Sequence, residues 1–75
     1  MPHHAPLQLS VVVPIFNEER TLAELHHRLT AVLAAETGGY EIVFVNDGSR
    51  DGSLAALRAL GAADPHIKVV SLSRN

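Results

Sequence analysis

Two short segments of the sequence combine carboxylate side chains with turn-forming residues directly after an apolar run. One segment spans residues 14–19 and the other spans residues 46–53. Carboxylate and amide oxygens in such places commonly cap the amide groups at the start of a helix. The same oxygens can accept hydrogen bonds from hydroxyl and N–H groups of a small ligand. Both interpretations are open for Asn17, Glu18, Glu19, Asp47 and Asp51.

Several common ligand sites do not match these two segments. The first segment contains no glycine, which disfavours the Gly-x-Gly-x-x-Gly turn that binds dinucleotides, and the sequence has no Walker A motif. The second segment begins like an EF-hand calcium loop at Asp47, Ser49, Asp51 and Gly52. Position 12 of such a loop must be a bidentate glutamate, but here it is Arg58. The pattern therefore argues against calcium binding.

The apolar pattern predicts five elements that position these segments. A β-branched run at Leu9 to Val13 indicates a first strand ended by Pro14, which cannot donate to a ladder. Thr21 and Glu24 fit a capping box at the start of a helix that Gly38 and Gly39 would end. The later elements are a strand from Glu41 to Asn46, a helix over Leu54, Leu57 and Leu60 closed by Gly61, and a strand from Ile67 to Leu72.

This β-α-β-α-β order predicts a parallel sheet with both helices on one side. Strands joined through helices run parallel, and such crossovers are right-handed in nearly all proteins. Each predicted strand carries apolar residues on both of its faces, as do the strands of sheets that are covered on both sides. Two helices can cover one face. We therefore expect the other face to be covered by polypeptide outside this sequence or by another chain.

The composition restricts the class of protein. The 75 residues suffice for one small domain, and the apolar content of 47% is typical of a chain that folds. The formal net charge of -2, without a basic cluster, argues against nucleic acid as a partner. There is no cysteine, and His26 and His27 are adjacent on a helix and point in different directions, which leaves no three-ligand metal set.

The two ends of the sequence carry no targeting or spanning signal. No apolar stretch reaches the roughly 20 residues that cross a bilayer, and the first residues lack the pattern of a signal peptide. A cytoplasmic location is therefore expected. Residues 1–7 contain two prolines without periodicity and are predicted to be a flexible lead-in, so that the domain spans residues 8–75.

Three motifs taken together resemble the start of glycosyltransferase family 2. They are residues 10–19 (SVVVPIFNEE), residues 40–53 (YEIVFVNDGSRDGS) and residues 71–75 (SLSRN). The order and spacing are similar to those of polyprenyl-phosphate sugar transferases such as dolichol-phosphate mannose synthase. The resemblance implies the N-terminal half of a GT-A fold, a Rossmann-like nucleotide-binding architecture.

The resemblance also implies a donor site and its residues. Pro14, Phe16 and Glu18 match the family turn that contacts base and ribose, and Val45 and Asp47 match the pair that closes on the base. The implied donor is a UDP- or GDP-sugar, and the implied acceptor is a polyprenyl phosphate, to which the sugar is transferred with inversion. The full-length enzyme would be membrane-associated, with a cytoplasmic active site.

The sequence departs from the family pattern at three points. Asn46 replaces the first acid of the frequent Asp-Asp-Gly-Ser motif, and Phe16 replaces a frequent tyrosine. The sequence also stops before the Asp-x-Asp type motif that would hold a divalent cation, Mg²⁺ or Mn²⁺, on the diphosphate. We therefore expect a nucleotide-sugar-binding fragment that is inactive alone. The alternative is a non-catalytic module that docks a partner, or a second copy, through the uncovered sheet face.

Overall fold

A computed structural model describes residues 7–72, so residues 1–6 of the predicted lead-in and residues 73–75 of the third motif lie outside the described part. The elements follow the predicted order. They are β1 (Leu9–Ile15), α1 (Leu22–Glu36), β2 (Tyr40–Asp47), α2 (Ser53–Ala63) and β3 (Ile67–Leu72).

The three strands form one parallel sheet in the order β1-β2-β3. Both helices pack on one face, where the buried core residues of the strands meet those of the helices. Phe44 and Ile42 of the central strand are fully buried there. The rest of the core consists of Ile15, Leu22, Leu33, Tyr40, Leu57 and Ile67. The expectation that both helices lie on one side is thus confirmed.

The opposite face of the sheet is open within the described residues, and we call it the open face. Val12 is 64% exposed, and Val70 and Leu72 on β3 are 43% and 47% exposed. Successive side chains of a strand point to opposite faces, so these residues alternate with the core residues Val11, Val13 and Val69. Of the two apolar faces that the sequence predicts, one is packed against the helices and the other is open within the described residues.

Two elements continue past the proline and the glycine that were expected to end them. β1 continues through Pro14 to Ile15, with Pro14 paired to Val45. Within the described residues β1 is an edge strand, and an edge strand tolerates a residue without an N–H group. Helix α2 likewise continues past Gly61 to Ala63 and ends at Asp64. Asp64 is extended because it precedes Pro65, which disfavours helical geometry in the preceding residue.

The predicted capping box at α1 was wrong in its hydrogen bonds, although the helix does begin there. The Thr21 side chain makes no capping bond and instead donates to the Glu18 carbonyl oxygen at 3.2 Å. Glu24 accepts from Arg28 Nη2 at 2.8 Å, one turn further along the helix. The i, i+4 ion pair thus takes the carboxylate that a capping box would use.

A cluster of side chains around Asp64 lies at the amino-terminal ends of β2 and β3. Its Oδ2 lies 2.8 Å from His26 Nε2, and its Oδ1 accepts from the His66 amide at 2.9 Å. The ring of His66 stacks on Tyr40, with ring centroids 4.0 Å apart. Burial raises the pKa of Asp64, but the hydrogen bonds from His26 and His66 outweigh it and hold that pKa below its usual value. His26 is therefore a structural residue that connects α1 to the end of α2.

Among residues 7–72, neither helix has the length and apolar character that crossing a bilayer requires.

Candidate functional site

The predicted site residues lie at the carboxyl ends of β1 and β2. Pro14 and Val45 are direct register partners, and Val45 is in turn paired with Val70. These residues alternate with core residues, so their side chains lie on the open face. Asp47 follows two residues after Val45 within β2 and shares this side of the sheet. The structure thus brings Pro14, Val45 and Asp47 to one corner of the open face, and Phe16 and Glu18 lie in the turn that follows β1.

The exposure of these residues leaves the corner accessible. The ring of Phe16 is 55% exposed, and Glu18 in the following turn is also exposed. Asp47 is half-buried and closes the end of β2. An exposed aromatic ring gains little stability from burial, and its face is open to a ligand. The arrangement therefore suits contact with a flat, partly polar molecule.

The loops after β1 and β2 exchange hydrogen bonds, and the first loop donates three of them. Its backbone amides at Asn17, Glu18 and Glu19 donate to Ser49 Oγ (3.0 Å), Ser53 Oγ (2.9 Å) and Asp51 Oδ2 (3.2 Å). These amides lie in the turn before α1, outside the hydrogen bonds of the helices and strands, so they take side-chain acceptors. Side chains of the second loop thus cap the chain that enters the first helix.

The second loop donates in return to side chains of the first. Asn17 Oδ1 accepts from the amides of Arg50 at 2.7 Å and of Asp51 at 3.4 Å. Glu19 Oε1 accepts from the amide of Gly52 at 3.0 Å, directly before α2. A Cβ atom at position 52 would lie 2.4 Å from Glu19 Oε2, so glycine permits this close approach. We call this reciprocal set of hydrogen bonds the loop clasp.

Two left-handed residues shape the loops of the clasp. Asn17 has a φ of 50° and Gly48 has a φ of 72°. Asparagine adopts this conformation more readily than most residues because its short side chain bonds locally. Asn17 lies between Phe16 and Glu18 in the chain, so its left-handed backbone sets the course of the turn that carries both residues. Its side chain binds the second loop.

The carboxylate of Asp51 is committed to the clasp. The Ser53 hydroxyl donates to Asp51 Oδ1 at 2.5 Å and the Ser53 amide donates to the same atom at 2.9 Å. The Ser53 hydroxyl above all, with the Ser53 and Glu19 amides, holds the pKa of Asp51 below its usual value, against a smaller contribution from desolvation. Asp51 is therefore ionised at neutral pH and serves as an acceptor within the protein.

A cavity of about 480 Å³ opens between the two loops. It is lined by Phe16, Asn17, Gly48, Ser49 and Arg50. In the described part of the chain no group of three or more His, Asp or Glu side chains is arranged to hold a metal ion. The donor set of these loops consists of carboxylates that already accept amide hydrogen bonds, so it does not fit a complete cation site.

Sequence reasoning identified part of this arrangement and missed the rest. The capping interpretation holds for Asp51, which accepts from the Ser53 amide at the start of α2. Asn17 and Glu19 instead accept from amides of the second loop, before that helix. The roles of Ser49 and Ser53 were missed, since their partners lie more than 30 residues away. Asn46, noted as a family departure, is 3% exposed on the helix-covered face, and its Oδ1 has no partner among the described residues. It lies beneath the loops, on the face opposite Asp47.

The clasp predicts a graded response at Asn17, measured by urea denaturation followed by far-UV circular dichroism. Asn17→Gly keeps the left-handed backbone but removes the acceptor, and should cost about 1 kcal/mol. Asn17→Ala also forces alanine into the left-handed region, which adds about 1 kcal/mol. Asn17→Asp retains both features and serves as the control. Equal stability of all four proteins would contradict the assigned role.

Comparison with known proteins agrees with the geometry. The model of the family described as glycosyl transferase family 2 matches residues 10–75. An uncharacterized glycosyltransferase of Bacillus subtilis is 44% identical over 92% of this chain and 21% of its own length. An undecaprenyl-phosphate 4-deoxy-4-formamido-L-arabinose transferase of Sodalis glossinidius is 42% identical over 91% of the chain and 21% of its own length.

A prophage bactoprenol glucosyl transferase homolog of Escherichia coli is 35% identical over 92% of the chain and 22% of its own length. The chain thus spans about a fifth of the length of the curated relatives it matches. The three-stranded parallel sheet with its two helices is consistent with the N-terminal half of a GT-A, Rossmann-like fold. With a family model that matches nearly the whole sequence, the chain belongs to glycosyl transferase family 2.

Proposed function

We propose that this chain binds the nucleotide of a UDP- or GDP-sugar, as the donor-binding part of a glycosyltransferase. The observation that carries the proposal is the convergence of Pro14, Val45 and Asp47 on one corner of the open face, with Phe16 and Glu18 in the turn that follows β1. Ligands of open α/β sheets bind beyond the carboxyl ends of the strands, which is where this corner lies.

The chemistry of these side chains suits a nucleoside. Phe16 offers a ring face to a planar base, and Pro14 and Val45 provide an apolar surface beside it. The carboxylates of Glu18 and Asp47 are acceptors for ribose hydroxyls and for the N–H groups of a base. The site therefore combines one stacking surface with two hydrogen-bond acceptors, as small-molecule sites commonly do.

For the whole protein we propose transfer of the sugar, with inversion, to a polyprenyl phosphate. Among the relatives are transferases named for undecaprenyl phosphate and for bactoprenol, which favours this class of acceptor. A polyprenyl chain resides in the bilayer, so the enzyme would work at the cytoplasmic face of a membrane in cell-envelope glycan biosynthesis.

The charge at the site implies a divalent cation, Mg²⁺ or Mn²⁺, between the protein and the donor diphosphate. The acceptor set of this corner is acidic, and the loop amides of Asn17, Glu18, Glu19 and Gly52 donate to protein side chains instead of to a phosphate. We propose that the cation ligands belong to the whole protein outside this chain. This chain alone would then bind donor nucleotide and not catalyse transfer.

Calorimetry of the 75-residue chain with UDP and GDP in the presence of Mg²⁺ tests the proposal. We expect weak binding of one nucleotide, and at least a tenfold loss of affinity in Asp47→Ala, because a hydrogen bond to a charged group contributes about 1.5–3 kcal/mol. Glu36→Ala removes the same charge from the exposed end of α1 and should leave the affinity unchanged. A folded sample that gives no heat with either nucleotide would rule the proposal out.

A second candidate is a non-catalytic assembly function through the open face, favoured by the exposure of Val12, Val70 and Leu72. A second copy seated there would also cover Pro14 and Val45 and would compete with nucleotide. Size-exclusion chromatography with light scattering should then find a dimer that Val12→Glu converts to a monomer. A wild-type chain that elutes as a folded monomer across the concentration range would reject this candidate.

A further inference from the structure

The cavity between the two loops has one wall that the proposed donor site does not use. Phe16 of the first loop and Arg50 of the second loop both line this cavity. The volume of about 480 Å³ lies within the roughly 300–1,000 Å³ typical of small-molecule sites. Arg50 is exposed, and it is the cation among the lining residues. A base that lies on the ring of Phe16 in this cavity would therefore have Arg50 as a neighbour.

The side chain of Arg50 is uncommitted within the described part of the chain. It forms no ion pair there, in contrast to Arg28, which pairs with Glu24. It also makes no contact with the ring of Phe16, so the two groups border the cavity instead of closing it. The nearby carboxylate of Asp51 accepts from Ser53 and from the Glu19 amide. The guanidinium is thus available to a ligand.

The backbone of Arg50 is nevertheless fixed relative to Phe16. Its amide donates to Asn17 Oδ1 at 2.7 Å, and Asn17 directly follows Phe16 in the chain. Asn17 therefore holds the backbone of Arg50 close to the turn that carries Phe16. A planar guanidinium stacks on aromatic faces in a way that a lysine ammonium cannot, because the charge is delocalised over a flat group.

We propose that Arg50 is a further nucleotide-binding residue, whose guanidinium stacks on the face of the base opposite Phe16. This inference rests on the proposed donor-nucleotide function and adds a residue to that site. Stacking on an aromatic ring and on a guanidinium is tolerant of base identity, because every base has a π-face. Discrimination between uracil and guanine would then fall to the acceptors Glu18 and Asp47.

The experiment compares dissociation constants of wild type, Arg50→Ala and Arg50→Lys for the nucleoside diphosphate that the wild type binds and for its monophosphate. We expect Arg50→Ala to weaken both ligands about tenfold and by the same factor, the effect of losing one stacking partner of a base. Arg50→Lys keeps the charge without the planar group and should recover little of this loss. Arg58→Ala removes the same charge from the exposed side of α2 and should change neither constant.

Three results would overturn the inference. If the wild type binds and Arg50→Ala stays within twofold of it, Arg50 is not part of the site, while the proposed function stands. If Arg50→Lys restores wild-type affinity and Arg50→Ala weakens the diphosphate alone, the side chain meets phosphate and not the base. If the wild type binds neither UDP nor GDP, the proposed function fails and this inference fails with it.

Discussion

The hydrogen bonds exchanged between the loops after β1 and β2 hold the turn that carries Phe16 and Glu18 against the loop that carries Arg50. Backbone amides that lie outside the helices and strands need hydrogen-bond acceptors from elsewhere in the chain or from water. Because β1 and β2 are parallel neighbours, both loops leave the same edge of the sheet, and each can supply acceptors to the other. The short polar side chains of Asn17, Ser49 and Ser53 fill this need and hold exposed loops in one arrangement.

This arrangement has a consequence for anion binding. In dinucleotide-binding folds the glycine-rich turn leaves amides at a helix start free for phosphate. Here the corresponding amides of Glu18 and Glu19 donate to Ser53 and Asp51. The amides of Glu18 and Glu19 are thus occupied by contacts within the protein, in the turn that precedes α1.

Much of the fold followed from the sequence because its signals are local. The alternation of apolar residues in β2 and the helical spacing of leucines in α1 predicted the elements, and the crossover rule placed both helices on one side. Local rules failed where tertiary context decided: Pro14 is tolerated on an edge strand, and Gly61 lies inside α2. The positions of Phe16 and Asp47 at the strand ends could be predicted. The clasp could not, because its partners, such as Asn17 and Arg50, lie 33 residues apart.

Binding of a nucleotide at the carboxyl corner of the open face is tested by a two-dimensional ¹H–¹⁵N NMR titration of the chain with UDP and with GDP in the presence of Mg²⁺. We expect saturable shifts confined to residues 15–18 and 45–50, with the amides around His26 and His66 at the opposite end of the strands unchanged. Shifts centred on that opposite end, or no saturable shifts in a well-dispersed spectrum, would contradict binding at this corner.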